Sequence, residues 1–257
     1  MLNIHKFLLV VCGLSFSIIL SFASLYASSP TMKIIGHRGA CGYAPENTLS
    51  SFQLALDMSV DMVELDVFVC ATGELVVIHD DTVDRTTNGH GNVEDMTFTQ
   101  LRSLIVEGKE QIPTLQEVIE LVNRRVPINI ELKGADTAQP VAQLLKKYLA
   151  QGWAMQDFII SSFDYKQVRE FKKLCPTIKI GILLPWQNMP IDLVTIAQRY
   201  QADFIGIDVK VITKKMVSRA HQAGFLIFVW TVNDKKTADK LRSLNVDGIF
   251  SEYPDQV

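Results

Sequence analysis

From Lys33 onward, short β-branched apolar runs alternate with longer stretches whose apolar positions recur at helical spacing. The runs at 33–37, 62–67, 127–132, 158–161, 178–183, 204–207, 225–230 and 248–250 read as eight main strands, with a further short extended run at 75–79. Helical patterns lie between them at 48–58, 114–125, 138–151, 165–174, 191–200, 214–223 and 234–244. Several open on a capping residue, among them Thr48, Thr114 and Asp234. Eight strands with intervening helices in roughly 225 residues predict a (β/α)8 TIM barrel. A doubly wound open sheet is the alternative, but no glycine fingerprint follows the first strand to support it.

One connection breaks this rhythm. Residues 80–113 are polar and glycine-containing, and Thr86-Thr87-Asn88-Gly89-His90-Gly91 reads as turn rather than element. A connection of that length in a compact domain is usually functional. It predicts a short insertion after the second strand, lying over one barrel mouth.

The front of the chain is patterned differently. No charged residue occurs from Phe7 to Met32, and Lys6 is the sole basic residue ahead of that run. Residues 1–29 therefore read as a signal peptide or an N-terminal membrane anchor, with small residues at Ala27, Ser28 and Ser29 for cleavage. Residues 33–257 are the expected catalytic domain. Cleavage would give a periplasmic or secreted protein, and retention a membrane-anchored one with its site close to lipid.

Across all 257 residues, 48% are hydrophobic and 21% charged, which suits one large globular domain or two small ones and excludes a disordered chain. Lys and Arg total 25 against 28 Asp and Glu, with no run of like charge, so no nucleic-acid partner is expected. Beyond the leader the cysteines are Cys41, Cys70 and Cys175, without a CxxC pair. That spacing speaks against a disulfide framework and a thiolate zinc site. No signal bears on oligomeric state.

Chemistry in such a barrel gathers at the carboxyl ends of the strands. There stand His37-Arg38-Gly39 after strand one, Glu64 and Asp66 on strand two, His79-Asp80 after the short run, Glu131 and Lys133 on strand three, and Trp230 on strand seven. Glu64 and Asp66 are two residues apart, so both point to one face of their strand while Val63, Leu65 and Val67 point to the other. Three carboxylates together at a mouth raise one another's pKa unless a cation lies among them. Oxygen-only ligands favour one hard divalent ion, Ca2+ or Mg2+. Taken singly, each carboxylate could simply pair with a basic neighbour. His37 and His79 beside that site make a natural acid and base near neutral pH. Arg38 and Lys133 offer fixed positive charge for an anion. Three carboxylates, a divalent ion and a phosphodiester then sum to a charge that Arg38 and Lys133 cancel, and a neutral assembly is the least costly to desolvate.

The segments His37-Arg38-Gly39-Ala40-Cys41-Gly42-Tyr43-Ala44-Pro45-Glu46-Asn47-Thr48, Glu64-Leu65-Asp66-Val67, His79-Asp80, Arg85-Thr86-Thr87, Pro113-Thr114-Leu115, Glu131-Leu132-Lys133 and Trp230-Thr231-Val232-Asn233 resemble the glycerophosphodiester phosphodiesterase family. This is a bacterial-type barrel similar to that of phosphatidylinositol phospholipase C. The set in this order covers nearly everything from Lys33 to Pro254. The resemblance implies a hydrolase that cleaves glycerophosphodiesters, which are deacylated phospholipids, to sn-glycerol 3-phosphate and an alcohol such as choline, ethanolamine or glycerol. It implies that Glu64, Asp66 and Glu131 bind a divalent ion, that His37 and His79 are general acid and base, and that Arg38 and Lys133 hold the phosphate. It also implies that Asn47, Glu46 and Trp230 line the site and that the 80–113 insertion shapes the choice of alcohol. Cys41 is the one mild departure, at a position where a small residue such as serine is frequent. Lysophospholipase D activity on single-chain lipids is the neighbouring enzyme reading. A barrel that captures phosphodiesters without turnover is the reading from another class, and the complete catalytic set stands against it.

Overall fold

The computed structural model of the chain describes residues 31–185, 187 and 192–257. The expected leader at 1–29 lies outside the described residues. Strands β1 (Lys33–Gly36), β2 (Met62–Val69), β3 (Leu75–Val77), β4 (Ile128–Leu132), β5 (Phe158–Ser162), β6 (Lys179–Leu184), β7 (Phe204–Asp208), β8 (Leu226–Trp230) and β9 (Gly248–Ser251) belong to one sheet. All except β3 pair in parallel, and β1 closes the ring by bonding to both β2 and β9. The (β/α)8 TIM barrel expected from the pattern is the observed fold. The β3 strand lies outside the ring, antiparallel to the end of β2.

Alternation along each strand divides the apolar residues between two cores. Val63, Leu65 and Val67 of β2 face outward and join the large core beneath the helices. Ile35, Met62, Ile159, Phe204, Phe228 and Phe250 face inward and fill the barrel floor. Room for those rings comes from glycine on the neighbouring strands. A Cβ on Gly181 would lie 2.0 Å from Cζ of Phe204, so only hydrogen fits there. Above this floor the inward positions turn polar. The register sets Glu64 beside Asn129, Asp66 beside Glu131, and Glu131 beside Ser161.

The helices sit where the 3.6-residue period predicts, with ends fixed by local chemistry. In α1 (Leu49–Asp57) the hydroxyl of Thr48 accepts from the Ser51 amide. Helices α2 (Phe98–Ser103) and α3 (Leu115–Val122) each open on a capping box, formed by Thr97 with Gln100 and by Thr114 with Glu117. The pattern at 191–200 becomes a helix over Leu193–Arg199, capped by Asp192, and Ile191 lies outside the described residues. No helix among the described residues is long and apolar enough to cross a membrane.

The insertion differs from the turn-like reading of its sequence. It carries a 3-10 turn at Val93–Asp95 and α2, and it has a small core of its own. Val83, Val93, Leu101, Val106 and Ile112 pack there with Phe68, Val76 and Ile78 of the β2–β3 hairpin. These residues are spaced too irregularly to show a strand or helix period, so the sequence displays only the polar turns between them.

Candidate active site

The site is organised around a tight turn at the end of β1. Arg38 (φ 53°) and Gly39 (φ 85°) are both left-handed, and a Cβ on Gly39 would meet Ser51 atoms at 2.3–2.7 Å. A non-glycine residue in this region is held there by its surroundings. Here the Arg38 amide donates to Glu64 Oε2 at 2.9 Å, while its carbonyl accepts from the Asn47 amide at 3.1 Å and from the Ser51 hydroxyl at 2.8 Å. The turn thus ties β1, α1 and the first carboxylate together.

Glu64, Asp66 and Glu131 are buried, with ligand oxygens all within 4.8 Å of one another. Burial, then Asp66 and Glu131, push Glu64 well above the ordinary carboxylate range. Burial and Asp66 lift Glu131 to about 7 against the pull of Lys133. Such mutual repulsion is what a divalent cation relieves. Three oxygens converging at this spacing, with Glu131 Oε1 buried and lacking a well-aligned hydrogen-bond donor, fit a hard ion with water completing its shell.

Two cations border the triad. Burial opposes the charge on Arg38, yet Asp66, Glu46 and Glu64 outweigh it and raise its pKa. Lys133 is likewise raised, burial being outweighed by Glu131 and Asp66. Its Nζ lies 3.2 Å from Glu131 Oε1 and 3.2 Å from His79 Nε2. The other ring nitrogen of His79 meets Asp80 Oδ1 at 2.5 Å. Burial, helped by Arg38 and Lys133, nevertheless lowers the His79 pKa. His37 follows β1 and holds its Nδ1 3.7 Å from Glu252 Oε1. Contact with His37 keeps Glu252 below its usual range against burial.

A cavity of about 290 Å³ opens over these groups, lined by His37, Arg38, Glu64, His79, Glu131, Lys133 and Trp230 from the expected set. Glu46, Asn47 and Asp66 are not on its wall. The Asn47 Nδ2 donates to Asp66 Oδ2 at 2.9 Å, which places Asn47 beside the triad and aims that carboxylate. Trp230 stands edge-on to the exposed Phe163 ring, with centroids 5.7 Å apart, and the two form an apolar lip. Among the described residues, six buried side-chain nitrogens or oxygens lack a well-formed hydrogen bond. They belong to His37, Arg38, Asn129, Glu131, Ser161 and Trp230, and all six residues line this one cavity. Buried polar atoms are rarely left unpaired except where a ligand or ion completes them.

Two residues here, Asn129 and Glu252, had escaped the sequence reading. Asn129 precedes Glu131 by two positions and shares its face. Glu252 follows Phe250 by two, and the predicted strand stopped at Phe250. Glu46 and Asp80 are joined by Arg85, which donates to both carboxylates of this pair. The Arg85 hydrogen bonds carry Glu46 down to about 2 despite its burial. Cys41 lies near His37 and Glu252, and burial pushes its thiol up to about 12, so it is no nucleophile.

Residues 37–256 match the family described as "Glycerophosphoryl diester phosphodiesterase family". YhdW of Bacillus subtilis (strain 168) is 39% identical over 233 residues, spanning 87% of this chain and 96% of that protein. A glycerophosphodiester phosphodiesterase of Caldanaerobacter subterraneus subsp. tengcongensis is 36% identical over 237 residues, spanning 86% and 94%. Among solved structures, an Oleispira antarctica phosphodiesterase in complex with the product sn-glycerol-3-phosphate superposes with a TM-score of 0.80 at 32% identity, covering 87% of this chain and 94% of that one.

Proposed function

Since the chain belongs to the glycerophosphoryl diester phosphodiesterase family, we propose that it hydrolyses glycerophosphodiesters to sn-glycerol 3-phosphate and an alcohol. The observation that carries this reading is that, among the described residues, the six buried polar atoms without a well-formed hydrogen bond all belong to residues lining one cavity, which also holds Lys133 and His79. The similar Oleispira antarctica enzyme was solved with that glycerol phosphate as product, which supports the same substrate class here.

In this mechanism Arg38 and Lys133 bind the phosphodiester oxygens and hold the phosphorus over the site. Glu64, Asp66 and Glu131 would hold a divalent ion, Ca2+ or Mg2+, whose positive charge stabilises charge developing on the phosphoryl oxygens. Burial and its cationic neighbours lower the His79 pKa against Asp66 and Asp80, which favours the neutral ring that can accept a proton from the attacking oxygen. His37, with Glu252 beside its Nδ1, can carry the proton that the leaving alkoxide takes up as the P–O bond breaks. The lip of Phe163 and Trp230 excludes water from one side of the bound diester.

Export is part of the proposal and rests on the apolar, charge-poor leader. Processing near Ala27 to Ser29 would release the enzyme, retention would anchor it, and N-terminal sequencing of the mature protein distinguishes the two. The activity itself is tested by offering the full-length protein glycerophosphocholine and lysophosphatidylcholine in parallel. Glycerol 3-phosphate release from the deacylated diester supports the proposal. Turnover of the lyso-lipid alone would reassign the protein as a lysophospholipase D served by its apolar lip. Tight binding of either substrate without turnover would make it a capture module.

A further inference from the structure

We propose that His37, Cys41 and Glu252 form a second metal site, selective for a soft or borderline divalent ion such as Zn2+, whose occupancy blocks turnover. Each of the three offers a ligand atom within 4.8 Å of the other two. The spacing of the cysteines gave no hint of it, because a CxxC search looks for ligands from one segment. Here they come from three: the end of β1, the turn before α1, and the end of β9.

These segments are laced together by the backbone. The His37 amide donates to the Ser251 carbonyl, and the Gly42 amide donates to the Glu252 carbonyl, both at 2.9 Å. Asn233 orients the carboxylate, its Nδ2 donating to Glu252 Oε2 at 2.8 Å and its Oδ1 accepting from the Glu252 amide at 2.9 Å. A partner of this kind, behind the ligand, is what fixes metal-binding side chains in place. Oε1 is thereby turned toward His37, whose buried Nδ1 has no hydrogen-bond partner.

Metal–ligand bonds of about 2.0–2.3 Å set tetrahedral edges of about 3.3–3.8 Å. The 3.7 Å between His37 Nδ1 and Glu252 Oε1 is within about 0.4 Å of the nitrogen–oxygen edge of about 3.3–3.5 Å that such bonds set. A pair at the 4.8 Å limit would close by about an ångström. One nitrogen, one sulfur and one oxygen, with a fourth position for water, suit Zn2+ and bind Ca2+ and Mg2+ poorly, since those ions take oxygen ligands. The all-oxygen triad of Glu64, Asp66 and Glu131 has the opposite preference, so two ions sort themselves between adjoining sites. On binding, the Cys41 thiol proton leaves to solvent as the metal–sulfur bond forms. His37 is then committed to the metal and cannot transfer a proton.

The test uses Co2+ as a spectroscopic probe on the full-length protein with the carboxylate site saturated by Ca2+. The expected result is a near-ultraviolet sulfur-to-cobalt charge-transfer band that vanishes in Cys41→Ser and Cys41→Ala, and that survives replacement of Cys12, Cys70 or Cys175. This arm does not depend on the substrate, so it stands apart from the proposed activity. In the activity arm, which rests on that proposal, Cys41→Ser keeps basal turnover and needs at least about tenfold more Zn2+ for half-inhibition. Absence of the band in wild type, or a band that persists in both folded Cys41 variants, overturns the site. Equal Zn2+ sensitivity of wild type and Cys41→Ser overturns the inhibitory consequence.

Discussion

Replacing Glu131 by Gln should stabilise the metal-free protein above neutral pH while removing its response to divalent cations. Glu131 is lifted from its ordinary 4.5 to about 7 by burial and by Asp66, with Lys133 only partly offsetting them. A carboxyl whose folded pKa exceeds its unfolded one favours the fold fully below pH 4.5, and that contribution is lost as pH rises through about 7. At pH 8 the ionised Glu131 therefore costs the metal-free fold about 3 kcal/mol, the equivalent of that rise at 1.36 kcal/mol per pH unit. Gln keeps the shape, can still accept from Lys133, and carries no charge. Urea unfolding of both proteins in EDTA, from pH 4 to pH 8, reads the difference directly. The curves should lie close together at the acid end and separate by about 3 kcal/mol at the alkaline end. Ca2+ at about a hundred times its Kd should then restore about 2.7 kcal/mol to wild type and far less to the variant. Parallel pH profiles, or an equal gain from Ca2+ in both, would refute the repulsion argument.

Other consequences are equally concrete. His37→Ala and His79→Ala should each lower kcat by about 10²–10⁴-fold with unchanged circular dichroism and Ca2+ affinity; normal turnover in either folded variant would sink the acid–base pairing. Arg85→Ala removes the guanidinium that holds Asp80 beside His79 and Glu46 beside Arg38, and should reduce kcat by about 10-fold or more through misplacement rather than lost chemistry. Gly181→Ala forces a Cβ into the Phe204 ring on the barrel floor; a loss of about 1–3 kcal/mol is expected in urea unfolding, and a neutral result would mean that the floor repacks freely.

Much of this molecule could be read before its structure was known, and the reasons are local. Parallel barrel strands are short and apolar on both faces, so their β-branched runs stand out, and Thr48, Thr114 and Asp234 mark helix starts by side-chain hydrogen bonds that span only a few residues. Glu64 with Asp66 and Glu131 with Lys133 were recognisable because a two-residue spacing fixes a common face whatever the rest of the fold does. Glu252 obeys the same rule relative to Phe250, but its partnership with His37 joins opposite ends of the chain and has no local trace. Asn47 is marked as a site residue by its motif, but its hydrogen bond to Asp66 is set by the fold and not by spacing. The insertion hid its small core because Val83, Val93, Leu101, Val106 and Ile112 follow neither period.

The central claim is that a carboxylate-held cation and a histidine pair act together on a glycerophosphodiester. Its most direct test is to follow glycerol 3-phosphate release from glycerophosphocholine by the full-length protein after EDTA treatment, with Ca2+ or Mg2+ then added back, beside Glu64→Gln. Loss of release with EDTA, recovery with the cation, and no recovery in Glu64→Gln are the predicted results. Undiminished release in EDTA, or full activity in Glu64→Gln, would contradict the account.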